Sequence, residues 1–472
     1  VARVAERVAE AVAQRVGRAD HREVVADRQA EGQREFARLA LEDAGRLLEA
    51  LDPTHVGVVE LGEHRRTGDR LLDEAAIPAS GFLQTSALTR GHFLTETRIL
   101  SFDPRRSLWP LGFIPPAIAP LLLIFNLLDM STWVLAATPL VLLFGIAPII
   151  DHLIGRDRRN LSPEAIRELA DDPYYRRLMH GIVPAYAIGV LAATALATHA
   201  SFSSLQWLLF TVGIAYVHSL IVLVAHELGH ARAATDRMMA RLALALVAYG
   251  HFGAEHNIEH HQKVATPDDP ASARYNESIY RFALRELPGV FLGALSLEKS
   301  RLERRGKSWW SRENELLKSW GMTLAIMVLL FSLFGAAALA FYVLHCLIVW
   351  FSITMANYTA HYGLLRRMVD NKREPCRPEH SWSSSFLFSN LLFFNLQRHA
   401  DHHAHARRPF QVLRHLDDTP NLPAGIPGLF CMMLVPPVWF HIMNPRLAEF
   451  VDHDPNRVNF RTQTDAESFI AD

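Results

Sequence analysis

The stretch LWPLGFIPPAIAPLLLIFNLL, at residues 108–128, contains no charged side chain. An apolar run of about 20 residues, at about 1.5 Å per residue, is long enough for a helix to cross a bilayer. Further apolar runs occupy residues 133–150, 178–197 and 205–225, and a longer one extends from 321 to 357 with Gly335 near its middle. Because the last run divides naturally into two, the sequence predicts six transmembrane helices and an integral membrane protein.

The charges of the flanking loops orient these helices. Lys and Arg accumulate on the cytoplasmic side of a membrane, and the basic flanks are 103–106, 155–159, 231–237 and 301–307. Every second loop is therefore basic, which predicts that both termini, residues 226–320 and everything after about 358 are cytoplasmic. The apolar segment 428–443 is short and contains two consecutive prolines, so a re-entrant or interfacial helix is expected there.

The predicted fold class is all-α, with three regions. Residues 1–100 are rich in Ala, Arg, Glu and Val, and Val4, Val8, Val12 and Val16 recur at helical spacing. We therefore expect an N-terminal extension that is amphipathic and helical or disordered, with no assigned role. The six-helix domain follows at residues 101–446, and a C-terminal tail at 447–472.

Composition excludes several function classes. A formal net charge of −1 over 472 residues gives no reason to expect nucleic acid as a partner. The three cysteines lie far apart without a C-x-x-C pair, which excludes a rubredoxin or iron-sulfur module within the chain. If the chemistry needs electrons, another protein must supply them.

Histidine is the unusual residue, with 24 in the chain. HELGH at 226–230 places two imidazoles at i and i+4 on one helix face, and EHNIEHH at 255–261 repeats this spacing. Two further groups follow the last span. The predicted topology brings all four groups to one membrane face, and the candidate metal ligands are His226, His230, His256, His260, His261, His361, His399, His402 and His403.

Other functions are compatible with parts of this pattern. H-E-x-x-H alone is typical of a zinc peptidase, with Glu227 as general base, but a zinc site uses about four ligands and nine histidines favour two ions. Imidazole suits Zn, Cu, Fe and Ni, so the ligand type does not name the metal. A metal-storing or metal-transporting protein is disfavoured, because transport ligands belong near the middle of the membrane.

Five blocks resemble those of the membrane-bound alkane 1-monooxygenases, within the class of integral-membrane fatty acid desaturases and hydroxylases. The blocks are HELGH, YGHFGAEHNIEHH (249–261), ATPDDPAS (265–272), NYTAHYGLLRR (357–367) and NLQRHADHHAH (395–405), and DHLIGRD (151–157) is also similar to a family segment. Desaturases commonly show H-x-x-H-H in the second histidine block. Three residues separate His256 from the following pair in this chain, which fits the hydroxylase branch better.

The resemblance implies a non-haem diiron enzyme that uses O2 and two electrons to hydroxylate the terminal methyl group of an alkane. It also implies the nine histidines as ligands, rubredoxin with its reductase as electron donor, and a bacterial-type inner membrane with the active site on its cytoplasmic side. Medium-to-long n-alkanes are the expected substrates. Fatty acyl chains or aromatic methyl groups are the alternative.

Several residues near these blocks have expected supporting roles. Members of the family typically have Gly at position 259 and Glu at position 360, where this chain has Glu259 and Ala360, so Glu259 is expected to replace the missing charge. Leu143 and Phe144 are expected to limit the depth of a substrate tunnel. A basic surface for an acidic electron carrier would contain Lys263, Arg398, Arg407, Arg408 and Arg414. The side chains expected to orient the ligand imidazoles are Glu227, Glu255, Glu259, His251 and Asp401.

Overall fold

A computed structural model describes residues 99–471, so the predictions for the N-terminal extension lie outside the described residues. Within this range, six helices are long and apolar enough to cross a membrane. The predicted six-helix architecture is confirmed. In chain order, spans 1 to 6 are Trp109–Leu127, Thr132–Ile154, Pro173–His199, Ser204–Gly229, Glu315–Phe334 and Ala336–His361.

Spans 2 to 6 extend beyond the apolar runs, and polar caps set the N-terminal ends of spans 3, 4 and 5. Span 3 begins at Pro173, where the Asp172 carboxylate accepts the backbone N–H of Tyr174 at 2.9 Å. Span 5 is capped in the same way by Asn314. Gly335 separates spans 5 and 6 in a conformation with φ of +76°, which glycine adopts without the steric cost that a side chain would bring.

Span 4 is the central helix of the bundle, since 78% of its apolar window is buried, compared with 17% for span 5. It packs between spans 2 and 6, and Phe210 and Ile214 are completely buried there. Span 4 therefore holds the first histidine block at a fixed depth, while span 5 presents most of its surface outward.

The segment predicted to be re-entrant or interfacial forms two helices bent by 120°. The second of these helices continues to Phe450, so the predicted boundary at residue 446 lies inside it. The chain then returns to the domain, where Phe469 is buried against Tyr275, with 5.5 Å between ring centroids.

Further helices lie between and after the spans, and they carry two of the four histidine blocks. The four strands, Ile99–Leu100, Asn160–Leu161, Met368–Val369 and Lys372–Arg373, have two residues each, so the described chain is all-α as predicted. The connecting α-helices are α1 (Pro163–Ala170), α2 (Ala234–Ala245), α3 (Phe252–Glu255), α4 (His261–Lys263), α5 (Ile279–Arg304), α6 (Leu387–Leu392), α7 (His399–Ala404), α8 (Ile426–Met433), α9 (Pro436–Phe450) and α10 (Gln463–Ala471).

Candidate metal centre

The nine predicted histidines meet at the end of the bundle where spans 4 and 6 finish, and they form two groups. In each group, one ring nitrogen from every histidine lies within 4.8 Å of those of the others. Group 1 contains five histidines and group 2 contains four. The members of group 1 are His226, His230, His256, His261 and His402, and those of group 2 are His260, His361, His399 and His403.

A π-helical turn at His256–His260 divides the second histidine block between the groups. The i, i+4 spacing predicts that His256 and His260 share a face, and their rings are neighbours with 4.8 Å between centroids, although the two residues belong to different groups. In a π turn the backbone hydrogen bonds join residues i and i+5, so the wider turn aligns His256 with His261 in group 1. His260 consequently joins group 2.

The donor atoms fit metal binding better than they fit a hydrogen-bonded core. Nε2 of His226 lies 2.7 Å from Nε2 of His402, and Nε2 of His403 lies 2.9 Å from Nε2 of His399. Nε2 of both His256 and His260 is buried without a hydrogen-bond partner. Because buried polar atoms are normally paired, converging unpaired nitrogens of this kind fit a site that binds metal.

Burial keeps the imidazoles neutral, which is the form that binds a metal. It lowers the pKa of His230 to about 4, that of His261 to about 2 and that of His399 to about 3. Burial would also lower the pKa of His260, but the adjacent Asp269 carboxylate outweighs it and raises that pKa. The other members therefore have free lone pairs at neutral pH even without a metal.

A largely apolar cavity reaches both groups. His226 and His256 from group 1 and His399 from group 2 form part of its wall. Its polar lining consists of Ser219, Ser352, Asn357 and Gln397, and its apolar lining consists of Val222, Leu223, Phe252, Ile353, Ala356, Phe393, Leu396, Ile426 and Phe430. An apolar lining directly beside the metal-binding nitrogens is the environment that an apolar ligand requires.

Comparison with known proteins identifies the family. The family model described as fatty acid desaturase matches residues 203–427. The chain is 40% identical over 362 residues to alkane 1-monooxygenase 1 of Alcanivorax borkumensis, covering 76% of this chain and 89% of that relative. It is also 40% identical over 359 residues to the alkane 1-monooxygenase of Ectopseudomonas oleovorans, covering 75% and 89%.

The chain belongs to the alkane 1-monooxygenase family. It is therefore a membrane-bound oxidoreductase of the monooxygenase type, and the resemblance seen in the sequence is confirmed. A more distant relative is the hydroxylase component of xylene/toluene monooxygenase from Pseudomonas putida, 28% identical over 229 residues, or 48% of this chain and 60% of the relative. Family membership and the two histidine groups together support iron as the bound metal.

One carboxylate that contacts a candidate ligand was not predicted. Asp269 lies 3.0 Å from Nδ1 of His260, and both side chains are completely buried. The same carboxylate accepts the hydroxyl of Ser272 at 2.6 Å and the backbone N–H of Ala271 at 3.0 Å. Its position within ATPDDPAS, a family block, was the only sequence signal for this role.

The three glutamates expected to orient imidazoles have different surroundings. Glu227 accepts the backbone N–H of Phe410 at 3.1 Å. Glu255 is buried, its Oε1 has no hydrogen-bond partner, and burial raises the pKa of this carboxyl group to about 8. Glu259 pairs with Lys263 beside a surface depression, whereas Ala360 is buried. The proposed replacement of charge between positions 259 and 360 remains a prediction.

The other two expected supporting residues are both buried. His251 packs between the rings of Tyr249 and Phe291, with centroid distances of 4.9 and 5.2 Å, and burial lowers its pKa to about 4. Asp401 accepts hydrogen bonds from Arg408 at 2.6 Å and from Arg414 at 2.8 Å. Asp401 thus attaches α7, which carries three ligand candidates, to the following loop.

The expected basic surface is not formed by all five of its residues. Arg398 is only 2% exposed, and its guanidinium donates to the carbonyls of Leu413 and Asp157, both at 2.8 Å. It therefore connects α7 to the loop after span 2 and is not available to a partner protein. Arg407 is exposed. Lys263, Arg408 and Arg414 are engaged in the ion pairs with Glu259 and Asp401 described above.

The predicted tunnel residues lie behind the cavity wall. Leu143 is buried within the apolar core, and neither it nor Phe144 is among the described residues that line the cavity. The Phe144 ring packs edge-on against Tyr216 at 4.9 Å, and Tyr216 contacts Phe430, which does line the cavity. Their role in limiting substrate length remains a prediction.

Proposed function

We propose that this protein hydroxylates the terminal methyl group of medium-to-long-chain n-alkanes to 1-alkanols, using O2 and electrons from rubredoxin and its reductase. The observation that carries the proposal is the apolar cavity whose wall includes histidines of both groups. The reaction consumes one O2, two electrons and two protons, and it yields one alkanol and one water. It requires an apolar substrate to lie beside a redox metal, and the apolar lining next to histidines of both groups supports that requirement.

The nine histidines would hold two irons, one in each group. When bound, the irons would supply the oxidising chemistry that cleaves the methyl C–H bond. The chain contributes neutral imidazoles that are kept unprotonated by burial, and Asp269 accepts the Nδ1–H of His260 so that its Nε2 lone pair points into group 2. Arg398 and Asp401 fix α7 and thereby position the three histidines that this short helix carries.

Substrate affinity would depend on how much apolar surface of the alkane is buried in the cavity, because an alkane has no group that can form a hydrogen bond. Each buried CH2 is worth about 0.8 kcal/mol. Val222, Ile353 and Phe430 supply apolar contacts along the cavity. Selectivity would then follow from the length and width of the cavity, as proposed for Leu143 and Phe144 behind its wall.

Electrons must come from outside the described domain. Its three cysteines, Cys346, Cys376 and Cys431, are free and far apart in sequence, so they provide no iron-sulfur site there. The positive-inside pattern supports a bacterial-type inner membrane with both histidine groups on the cytoplasmic side, where a soluble carrier such as rubredoxin can reach them.

A second candidate function is hydroxylation of an aromatic methyl group or oxidation of a fatty acyl chain. The similarity to the xylene/toluene monooxygenase component and to the fatty acid desaturase model favours it. The zinc peptidase hypothesis is disfavoured, because His226 and His230 belong to a five-histidine group, and Glu227 is engaged by the backbone of Phe410.

The test combines metal content with product analysis on membranes that contain the full chain. We expect about two irons per chain, little zinc, and 1-alkanols from octane through hexadecane when rubredoxin and its reductase are supplied. His402→Ala should reduce both iron content and product, whereas the exposed His441→Ala should leave both unchanged.

Two other results would change the assignment. Two irons without alkanol, together with products from xylene or acyl substrates, would favour the second candidate. One zinc and no iron per chain would favour the zinc peptidase hypothesis for HELGH.

A further inference from the structure

The helix α5, which follows the second histidine block, carries an apolar stripe on its outer face. Tyr280, Leu284, Phe291 and Leu292 are 50%, 81%, 37% and 61% exposed. At 3.6 residues per turn, these positions fall within one third of the helix circumference. An exposed apolar stripe of this kind normally marks a surface that contacts a membrane or a partner.

The opposite face of α5 is buried against the protein and supports the metal centre. Phe282 and Glu286 are completely buried. The Glu286 carboxylate accepts the Thr354 hydroxyl at 2.7 Å and the Asn357 amide at 3.0 Å, both on span 6 just before its histidine. The two faces are thus clearly different, and the helix has a fixed rotation relative to the bundle.

Both ends of the stripe adjoin other apolar segments of the protein. The Phe291 ring stacks on Trp320 of span 5, with 6.3 Å between centroids, and Leu324 one turn further along that span is 61% exposed. At the other end, the Tyr280 hydroxyl donates to the carbonyl of Leu434 at 2.7 Å, beside the bend between α8 and α9. The stripe therefore continues the apolar outer surface of the spans.

Basic and aromatic side chains accompany the stripe. Between residues 279 and 312 the chain has eight Lys or Arg and three Glu, and two of the three, Glu286 and Glu298, are buried. Exposed basic residues on the helix include Arg281 and Lys299, which lie near its two ends on the same third of the circumference as the stripe; Lys299 is 4.0 Å from the Glu303 carboxylate. Trp310 after the end of the helix is 80% exposed. This combination is typical of helices that lie at the surface of membranes with anionic lipids.

We propose that α5 lies in the plane of the membrane, with its stripe among the acyl chains of the leaflet on the histidine side. With 26 residues at 1.5 Å per residue, it covers about 39 Å of the interface. Its basic residues and Trp310 contact anionic phospholipid headgroups. The loop charges predict that this region lies on the cytoplasmic side of the membrane. In the proposed arrangement α5 lies in the membrane–water interface on that side, where Glu286 holds it against span 6.

The test measures the environment of the stripe by spin labelling. Leu284→Cys and Leu292→Cys are each introduced into the full chain carrying Cys376→Ser and Cys431→Ser, labelled with a nitroxide, and reconstituted in nanodiscs of zwitterionic and anionic phospholipid. Collision with O2, which concentrates in acyl chains, is compared with collision with a water-soluble nickel chelate. We expect O2 to exceed the chelate several-fold at both positions.

Two reference labels calibrate the result. Leu324→Cys on span 5 reports lipid, and Arg407→Cys on the histidine-side loop reports water. If the chelate dominates at 284 and 292, as at 407, α5 lies in water and the proposal is wrong. If both reagents are excluded, protein covers the stripe, which also overturns it. Two independent labels on one stripe, each with iron content as the folding check, prevent a single misfolded variant from deciding the outcome.

Discussion

Asp269→Asn is the most informative single substitution at the metal centre. In the native chain the carboxylate accepts the Nδ1–H of His260, which leaves Nε2 as the free donor for group 2. The introduced amide can present an N–H to the imidazole instead, and the ring proton would then move to Nε2, where it blocks metal binding. The change preserves size, so cavity formation does not contribute to the effect.

The expected magnitude follows from the geometry. Both side chains are completely buried and 3.0 Å apart, so water cannot replace the lost hydrogen bond. Loss of a hydrogen bond to a ligand histidine typically costs 10- to 100-fold in metal affinity, or about 1.4–2.7 kcal/mol. Because Asp269 contacts only His260 among the candidate ligands described, we expect the substitution to weaken metal binding in group 2 before it affects group 1.

The assay is iron retained per chain after equilibration with increasing concentrations of an iron chelator. Asp268→Asn is the matched control, since Asp268 is the exposed neighbour in the same block. Asp269→Asn should release iron at a chelator concentration at least tenfold below that of the wild type, and the control should not. Equal iron retention in all three proteins would refute the role of the Asp269 hydrogen bond. Equal iron loss in both variants would show that any change in residues 265–272 weakens iron binding, with no specific role for Asp269.

Three further predictions follow from the cavity, from α7 and from burial. Val222→Phe should shift the products toward 1-alkanols of shorter chain, because each substrate methylene that no longer fits the cavity loses about 0.8 kcal/mol of binding free energy. An unchanged chain-length profile by gas chromatography would contradict this. Arg398→Met should destabilise the protein by about 3 kcal/mol, because it leaves buried carbonyls unpaired, and the unfolding temperature in detergent should fall. The exposed Arg407→Met should have little effect, and similar unfolding temperatures for the two variants would count against a buried role for Arg398. Because burial lowers the pKa of His251 from 6.5 to about 4, its contribution to stability is present above pH 6.5, and about 3 kcal/mol is lost as the pH falls to 4. His251→Phe should therefore flatten the dependence of the unfolding free energy on pH in the metal-free protein between pH 6.5 and 4. An unchanged slope would show that His251 does not contribute.

The spans and the ligand set were predictable because each depends on a local pattern. Apolar length alone locates all six spans, and Gly335 locates the break between the last two. The four histidine blocks identify the nine side chains that the structure brings together. These features need no knowledge of which distant residues meet.

The supporting residues were less predictable because their roles depend on contacts between distant segments. Arg398 resembles a surface cation in the sequence, but its guanidinium fills a buried space among carbonyls from residues far along the chain. Asp269 is nine residues from His260, and only the folded loop places its carboxylate on the imidazole. The division of His260 and His261 between two groups depends on a change of helix type that spacing does not reveal.

The π turn at His256–His260 also bears on how histidine blocks with different spacing are related. A single π turn is equivalent to an α-helix with one residue inserted. If one of the three residues between His256 and His260 were deleted, His261 would become the i+4 neighbour of His256, and an ordinary α-turn would keep the two on one face. The shorter spacing that is common in desaturases can therefore give the same pairing with a regular helix. The number of residues between the histidines is a poor guide to ligand geometry unless the helix type is known.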